Sequence, residues 1–176
     1  MNANGATYCP TCGAELVARR IEGRDRRYCP ACERPWYRNP KPCAGTLVVD
    51  GSSVLLVQRT QPPAVGSWSV PAGYLEHDEP PHEAAARELE EETGLVVDPA
   101  AIDLFDTAFV GHDDGTHVLV ILYAVGRAAT EGTPQAGSDA DGASFWASDA
   151  LTAEAPLEPG YRELLQRVIE RYGDAG

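Results

Sequence analysis

The segment from Gly73 to Leu95 constrains this chain most, because it carries its own start signal, its own stop signal and two unlike faces. It opens with a loop, Gly73 to Glu79, followed by Pro80-Pro81. Proline at the first helical position costs little, since the N–H it lacks would have no partner there, and Gly94 supplies the stop. The spacing predicts a helix between the prolines and Gly94, capped by Asp78 or Glu79. Ala85 and Leu89 fall on one stripe and pack inward; Glu88, Glu91 and Glu92, at i, i+3 and i+4, bring three carboxylates onto another. Like charges at this spacing cost roughly 0.2–0.5 kcal/mol per pair. A hard divalent cation reverses that penalty, and clustered oxygen ligands suit magnesium or manganese, which keep waters and engage phosphates. Arg87 reaches Glu83 or Glu91 four residues away and restrains the same face. A solvated helix laced with ion pairs accounts for the spacing equally well, so helix geometry alone leaves both readings open.

Four of the five cysteines form two pairs, Cys9-Pro-Thr-Cys12 and Cys29-Pro-Ala-Cys32, with sixteen residues between them. Each C-x-x-C turn aims two thiolates at one ion, and two such turns complete a closed tetrahedral shell, the pattern of a structural zinc ribbon. Disulfides are the competing reading, disfavoured in a reducing compartment. Residues 1–41 hold eight Lys/Arg and four Asp/Glu, a balance of +4 that leaves −17 of the chain's net −13 to the remainder. Arg19, Arg20, Arg24, Arg26 and Arg27 lie between the cysteine pairs, as either a solvated hairpin or a surface for RNA, an acidic partner or a phosphate-bearing substrate. The acidic remainder repels phosphate backbones unless cations mediate, which argues against broad nucleic-acid binding there. Cys43, left over, opens an apolar run and reads as a buried thiol.

A length of 176 residues accommodates one main core and a small appendage, here divided as 1–39 for the ribbon and 40–176 for the main domain. Ala44–Val49 and Ser53–Val57, separated by Asp50-Gly51-Ser52, read as a hairpin. Leu104–Val110 and Val118–Val125 read as strands, and Tyr161–Tyr172 as an amphipathic closing helix. The polar stretch Arg127–Gly142, rich in Gly and Ala, reads as a mobile lid, while Trp68, Tyr74 and Phe105 are either core or a stacking surface. No apolar run is long enough to span a bilayer and no export signal opens the chain, so a soluble, cytoplasmic protein without membrane contact is expected.

Gly73, Glu79, Arg87, Glu88, Leu89, Glu91, Glu92, Gly94 and Leu95 match every fixed position of the Nudix box, G-x5-E-x7-R-E-U-x-E-E-x-G-U with U aliphatic, and the chain resembles the Nudix hydrolases. The resemblance implies an α/β fold, an α/β/α sandwich around a mixed sheet, preceded by the ribbon. It implies hydrolysis of the pyrophosphate bond in a nucleoside diphosphate derivative to two monophosphates, with catalytic magnesium or manganese and structural zinc. Glu88 and Glu92 match metal ligands of similar enzymes, with Glu91 a frequent addition and the Ala72 carbonyl often joining them. Glu79 and Arg87 correspond to a salt bridge that fixes the loop to the helix. Arg59, ending the hairpin strand, resembles an arginine that contacts substrate phosphate, and Gly73 allows the backbone turn at the box entry. Similar enzymes often place a metal-binding glutamate before the equivalent of Trp146; here Asp141, then Asp139, are the available acids. Whether Glu91, Glu92 or a loop acid serves as general base stays open.

Two branches of that family carry a ribbon before the box. NADH pyrophosphatases, which also decap NAD-capped RNA, carry Ser-Gln-Pro-Trp-Pro-Phe-Pro after it, and that signature is absent after Leu95. Tyr37-Arg-Asn39-Pro40-Lys41 and Pro71-Ala-Gly-Tyr-Leu-Glu76 are similar instead to plant and bacterial enzymes acting on FAD and ADP-ribose. That likeness implies ADP-ribose or FAD as substrate, with NAD(H) or NAD-capped RNA as the alternative. An idle nucleotide sensor with a nucleic-acid-binding ribbon is a second alternative, against which the carboxylate cluster argues, since a pure binder gains nothing from it. Assembly into a homodimer stays open.

Overall fold

A computed structural model describes residues 6–62, 64–137, 140–147, 150, 156–157 and 161–173. The chain divides into two compact units, Met1–Lys41 with Gly111–His117, and Pro42–Val110 with Val118–Gly176. In the first, β1 (Val17–Ile21), β2 (Arg24–Cys29) and β3 (Arg34–Trp36) form an antiparallel sheet in that order. Ile21 pairs with Arg24, so Glu22 and Gly23 make a two-residue turn, with φ of 51° and 77°. Positive φ at both positions matches the right-handed twist of the strands it joins. Among the described residues, its buried core is Cys9, Leu16 and Cys29. So small an apolar cluster offsets little of the ordering entropy of the chain.

The remaining elements, which apart from Lys41, Gly111 and His117 belong to the second unit, are β4 (Lys41–Asp50), β5 (Ser53–Arg59), β6 (Trp68–Ser69), β7 (Ala72–Tyr74), α1 (Pro81–Thr93), β8 (Val96–Val97), β9 (Asp103–Gly111), β10 (His117–Gly126), β11 (Thr130–Glu131), β12 (Ala140–Ala147) and α2 (Tyr161–Tyr172). The main sheet runs β12-β5-β4-β10-β9, with β6 beside β5 and β7 beside β4. Strand alternation sorts its side chains onto two faces. Leu47, Val49, Val54 and Leu56 pack with Leu165 and Val168 of α2, whereas Ala44, Val48 and Leu55 pack with Ala84, Ala85 and Leu89 of α1. The result is an α/β/α sandwich around a mixed sheet. Each fully buried Leu or Val contributes about 1.5–3 kcal/mol.

The hairpin of β4 and β5 pairs at its tip, Val49 with Val54 and Asp50 with Ser53, and then its arms take other partners. β7 lies against β4, setting Gly73 opposite Ala44 and Ala72 opposite Gly45, while β6 lies against β5. A Cβ on Gly45 would meet the Cβ of Ala72 at 2.6 Å, so this approach requires glycine. The box entry is thereby built into the sheet, directly before the helix.

Several expectations change in three dimensions. The helix has no side-chain cap: Pro80 occupies the cap position, and its carbonyl accepts from the N–H groups of Glu83 and Ala84. Glu79 is held by Arg87 instead, and two successive prolines leave fewer N–H groups for a cap to satisfy. The expected lid is tied down over its first half, where β11 pairs with β8 and the Gln135 N–H donates to the Thr93 carbonyl at 2.8 Å. Trp68 stands edge-on to Trp146 with centroids 4.8 Å apart, and Phe105 packs against Tyr172 at 6.2 Å, so both rings are half-buried against the core. Tyr74 is exposed, and Cys43 is half-buried against the α2-side core. No helix among the described residues is long and apolar enough to cross a membrane.

Candidate functional site

Arg87 is the hub of the acidic face. Its Nε and Nη2 donate to the two carboxylate oxygens of Glu79 at 2.8 and 2.9 Å, and Nη2 also reaches the Tyr74 carbonyl at 3.2 Å. Nη1 donates to Glu88 at 2.7 Å and to Glu91 at 3.2 Å; Glu83, four residues back, is not among its partners. The Glu76 N–H completes the loop's attachment by donating to Glu79. One guanidinium thus ties the entry loop, the strand end and the helix into a single frame. Its proximity holds the Glu79 carboxyl below the usual carboxylate range.

Glu88 is the buried member, with a side chain 13% exposed. Burial pushes its carboxyl above the usual range, and the Arg87 contact opposes this only in part. Space for it comes from Gly73, where a Cβ would lie 2.1 Å from the carboxyl carbon. Gly73 sits in β7 and is not among the residues with positive φ, so its requirement is room for Glu88 and not the turn freedom that the sequence suggested. One turn later, Glu92 accepts a hydrogen bond from the Ala72 N–H at 3.0 Å. The structure therefore brings Gly73, Glu79, Arg87, Glu88 and Glu91 into one cluster and joins Glu92 to Ala72 beside it.

The charge balance of this face is lopsided. Glu91 and Glu92 lie in the last turn of α1, which carries no basic residue, so the partial negative charge of the helix end adds to the carboxylates. Arg87 offsets part of this charge through its contacts with Glu88 and Glu91. Carboxylate oxygens beside an excess of negative charge are the ligand type that a hard divalent ion such as magnesium takes, although among the described residues only the four cysteines already converge as a ligand set. Arg59 ends β5 opposite Ala140, and Asp141 occupies the adjacent irregularity in β12, exposed to solvent. Asp139 lies outside the described residues. Sequence reasoning did not single out Tyr74 for its carbonyl or Gln135 and Gly137, whose backbone N–H groups meet the helix end; backbone donors leave no residue-type signal.

The second cluster is the ribbon. The sulfur atoms of Cys9, Cys12, Cys29 and Cys32 all lie within 4.8 Å of one another, with Cys9 to Cys32 at 4.0 Å and Cys12 to Cys29 at 3.5 Å. A tetrahedron of thiolates about 2.3 Å from zinc has sulfur–sulfur edges near ~3.8 Å, so the cage has the right size, and these separations are not disulfide bonds. The backbone N–H groups of Thr11 and Cys12 draw Cys9 down to about 6, the ionised form that zinc binds, whereas Cys32 is pushed up to about 12, foremost by its contact with Cys12. Much of the arginine cluster is engaged within this unit: Arg19 stacks over Tyr28 at 4.4 Å, Arg26 over Tyr37 at 4.7 Å, and Arg20 pairs with Asp25.

Comparison with known proteins gives one family. The family model for the NUDIX domain matches residues 39–168. The chain is 37% identical over 92 residues to a protein named NAD-capped RNA hydrolase NudC from Stutzerimonas stutzeri, a match covering 52% of this chain and 32% of that protein. It is 30% identical over 111 residues to one named ADP-ribose pyrophosphatase from Methanocaldococcus jannaschii, covering 62% of this chain and 63% of that one. These matches span less than two thirds of either relative. A crystal structure of a NUDIX hydrolase from Nitrosomonas europaea superposes with a TM-score of 0.72 at 23% identity, covering 97% of this chain and 94% of that one.

Proposed function

This chain belongs to the NUDIX family, and on that premise we propose that it is a pyrophosphohydrolase that uses divalent metal to cleave nucleoside diphosphate derivatives, ADP-ribose or FAD foremost. The observation that carries the proposal is the run of carboxylates on α1: Glu88 and Glu91 share the Arg87 guanidinium, Glu92 is joined to the Ala72 N–H, and the last turn holding Glu91 and Glu92 contains no basic residue. In this reading Glu88, Glu91 and Glu92, with the Ala72 carbonyl, hold magnesium. The ion supplies charge neutralisation on the diphosphate and lowers the pKa of a water. Arg87 and Glu79 orient the carboxylates without touching the substrate, and Gly73 leaves the space that Glu88 needs. Arg59 at the end of β5 binds a substrate phosphate, and Asp141 is the acid available beyond the box. The proton leaves the attacking water to Glu91, Glu92 or that loop acid. The four cysteines of the ribbon hold zinc, which has no open position for chemistry there.

ADP-ribose or FAD is favoured by Tyr37-Arg-Asn39-Pro40-Lys41 and Pro71 to Glu76, and by likeness to the protein named ADP-ribose pyrophosphatase. A second reading, cleavage of NAD(H) or NAD-capped RNA, is favoured by likeness to the protein named NudC. The test is a magnesium-supported panel of ADP-ribose, FAD, NADH, NAD-capped RNA and dNTPs, with Glu92→Gln as the control. AMP released from ADP-ribose or FAD, and lost with Glu92→Gln, supports the proposal. Preferred cleavage of NADH or capped RNA selects the second reading, and preferred cleavage of dNTPs refutes both.

A further inference from the structure

We propose that residues Thr130 to Gly137 form a strap that sets the position of the carboxylates at the end of α1, with Gly137 as the positioning residue. The proposal rests on the metal-binding reading of those carboxylates given above.

A helix ends with four carbonyls that lack partners within it. In α1 the Glu90 carbonyl accepts from the Gly94 N–H, which reverses the chain at φ 70°. The carbonyls of Glu92 and Thr93 accept from N–H groups more than forty residues away, Gly137 at 2.9 Å and Gln135 at 2.8 Å. The strap is itself anchored. Thr130 pairs with Val97 and Glu131 with Val96, and Arg127 donates to the carbonyls of Thr130 at 2.9 Å and Gly132 at 2.6 Å.

The approach at Gly137 is so close that no side chain fits. A Cβ there would lie 1.9 Å from the Glu91 carbonyl oxygen and 3.0 Å from the Glu92 Cα. The obstacle is backbone on both sides, so no rotamer change relieves it, and the strap or the last helical turn must move by an ångström or so. That turn carries Glu91 and Glu92. Displacements of ~1 Å can cost on the order of 100-fold in a reaction that depends on alignment. The choice of backbone donors also has an electrostatic logic. A lysine or arginine would satisfy the same carbonyls but would compete with a divalent ion for the carboxylates, and the last turn of α1 contains none.

The test uses the full, zinc-loaded chain with Gly137→Ala, with Gln135→Pro to delete the N–H that meets Thr93, and with Gly126→Ala as a control, since a Cβ at Gly126 meets nothing within 4 Å. Manganese binding is measured by calorimetry without substrate, alongside hydrogen exchange of the α1 backbone and turnover. Gly137→Ala is expected to weaken manganese binding by about 10–100-fold, the range for lost support around a metal site. Exchange at the end of α1 should speed up, excess metal should recover part of the turnover, and KM at saturating metal should hold. Gln135→Pro is expected to act in the same direction, and Gly126→Ala to match the parent. If Gly137→Ala does not fold, Gln135→Pro carries the same readouts. Unchanged manganese affinity in a folded variant, while the parent binds and Glu92→Gln does not, overturns the strap alone. A parent that binds no manganese overturns the metal reading and the strap with it.

Discussion

Replacing Arg87 with methionine keeps most of the aliphatic stem but removes the guanidinium that joins Glu79, Glu88, Glu91 and the Tyr74 carbonyl. Hydrogen bonds to charged groups contribute about 1.5–3 kcal/mol each, yet summing them overshoots because the four groups share one cation. Removing one partner of a buried ion pair costs about 3–5 kcal/mol. The Arg87 side chain is 30% exposed, against 14% for Glu79 and 13% for Glu88, so water screens part of the interaction. The Glu91 contact, 59% exposed, adds little. The expected loss is about 2–3 kcal/mol at pH 7, a fall in Tm on the order of 10 °C for a unit this size. Its pH dependence follows from Glu79, whose folded-state pKa is held below the ordinary value of 4.5 by Arg87. A depressed carboxylate stabilises the fold fully above its unfolded pKa and loses that contribution as pH falls through the folded value. The gap in Tm between parent and Arg87→Met should therefore be wide at pH 7 and narrow below the ordinary carboxylate value. Thermal unfolding by circular dichroism across that range measures it. A gap that stays constant with pH, or one under ~1 kcal/mol at pH 7, refutes the reasoning.

Glu88→Gln should raise the Tm of the magnesium-free protein at neutral pH, because burial raises the folded-state pKa of Glu88 and its charge is a net cost above that value; the gain should vanish at low pH, where the parent carboxyl is protonated in both states. A lower Tm at pH 7 would contradict the burial argument. Stripping zinc, or Cys12→Ser, should unfold the ribbon, since its buried core is Cys9, Leu16 and Cys29; loss of the Trp36 fluorescence change on zinc addition reports it, and a metal-free ribbon that keeps its amide protection counts against a structural metal.

Local chemistry was legible in the chain before any tertiary information. Periodicity and the Pro80-Pro81 and Gly94 punctuation bounded α1, and Tyr161–Tyr172 read as the closing helix it is. Continuous β-branched and apolar runs gave β4 and β5, and the spacing of the cysteines foretold that four sulfurs would meet. The acidic stripe was equally plain, because a helix repeats every 3.6 residues whatever surrounds it.

What the chain could not announce was everything decided by contacts between segments distant in sequence. The parting of β4 from β5 puts Gly73 against Ala44, and only there does glycine become the space for Glu88. Glu79 reads in sequence as a helix cap, yet Pro80 takes the cap position and a bidentate guanidinium eight residues on holds the Glu79 carboxylate. Arg127–Gly142 has the composition of a mobile loop, but the backbone N–H groups of Gln135 and Gly137 within it close the end of α1. Side-chain pattern encodes periodicity and charge, so it determined the elements and the acidic face. Backbone hydrogen bonds and close approach carry no residue signature beyond an occasional glycine, so only the tertiary structure decided which elements meet and how the carboxylates are held.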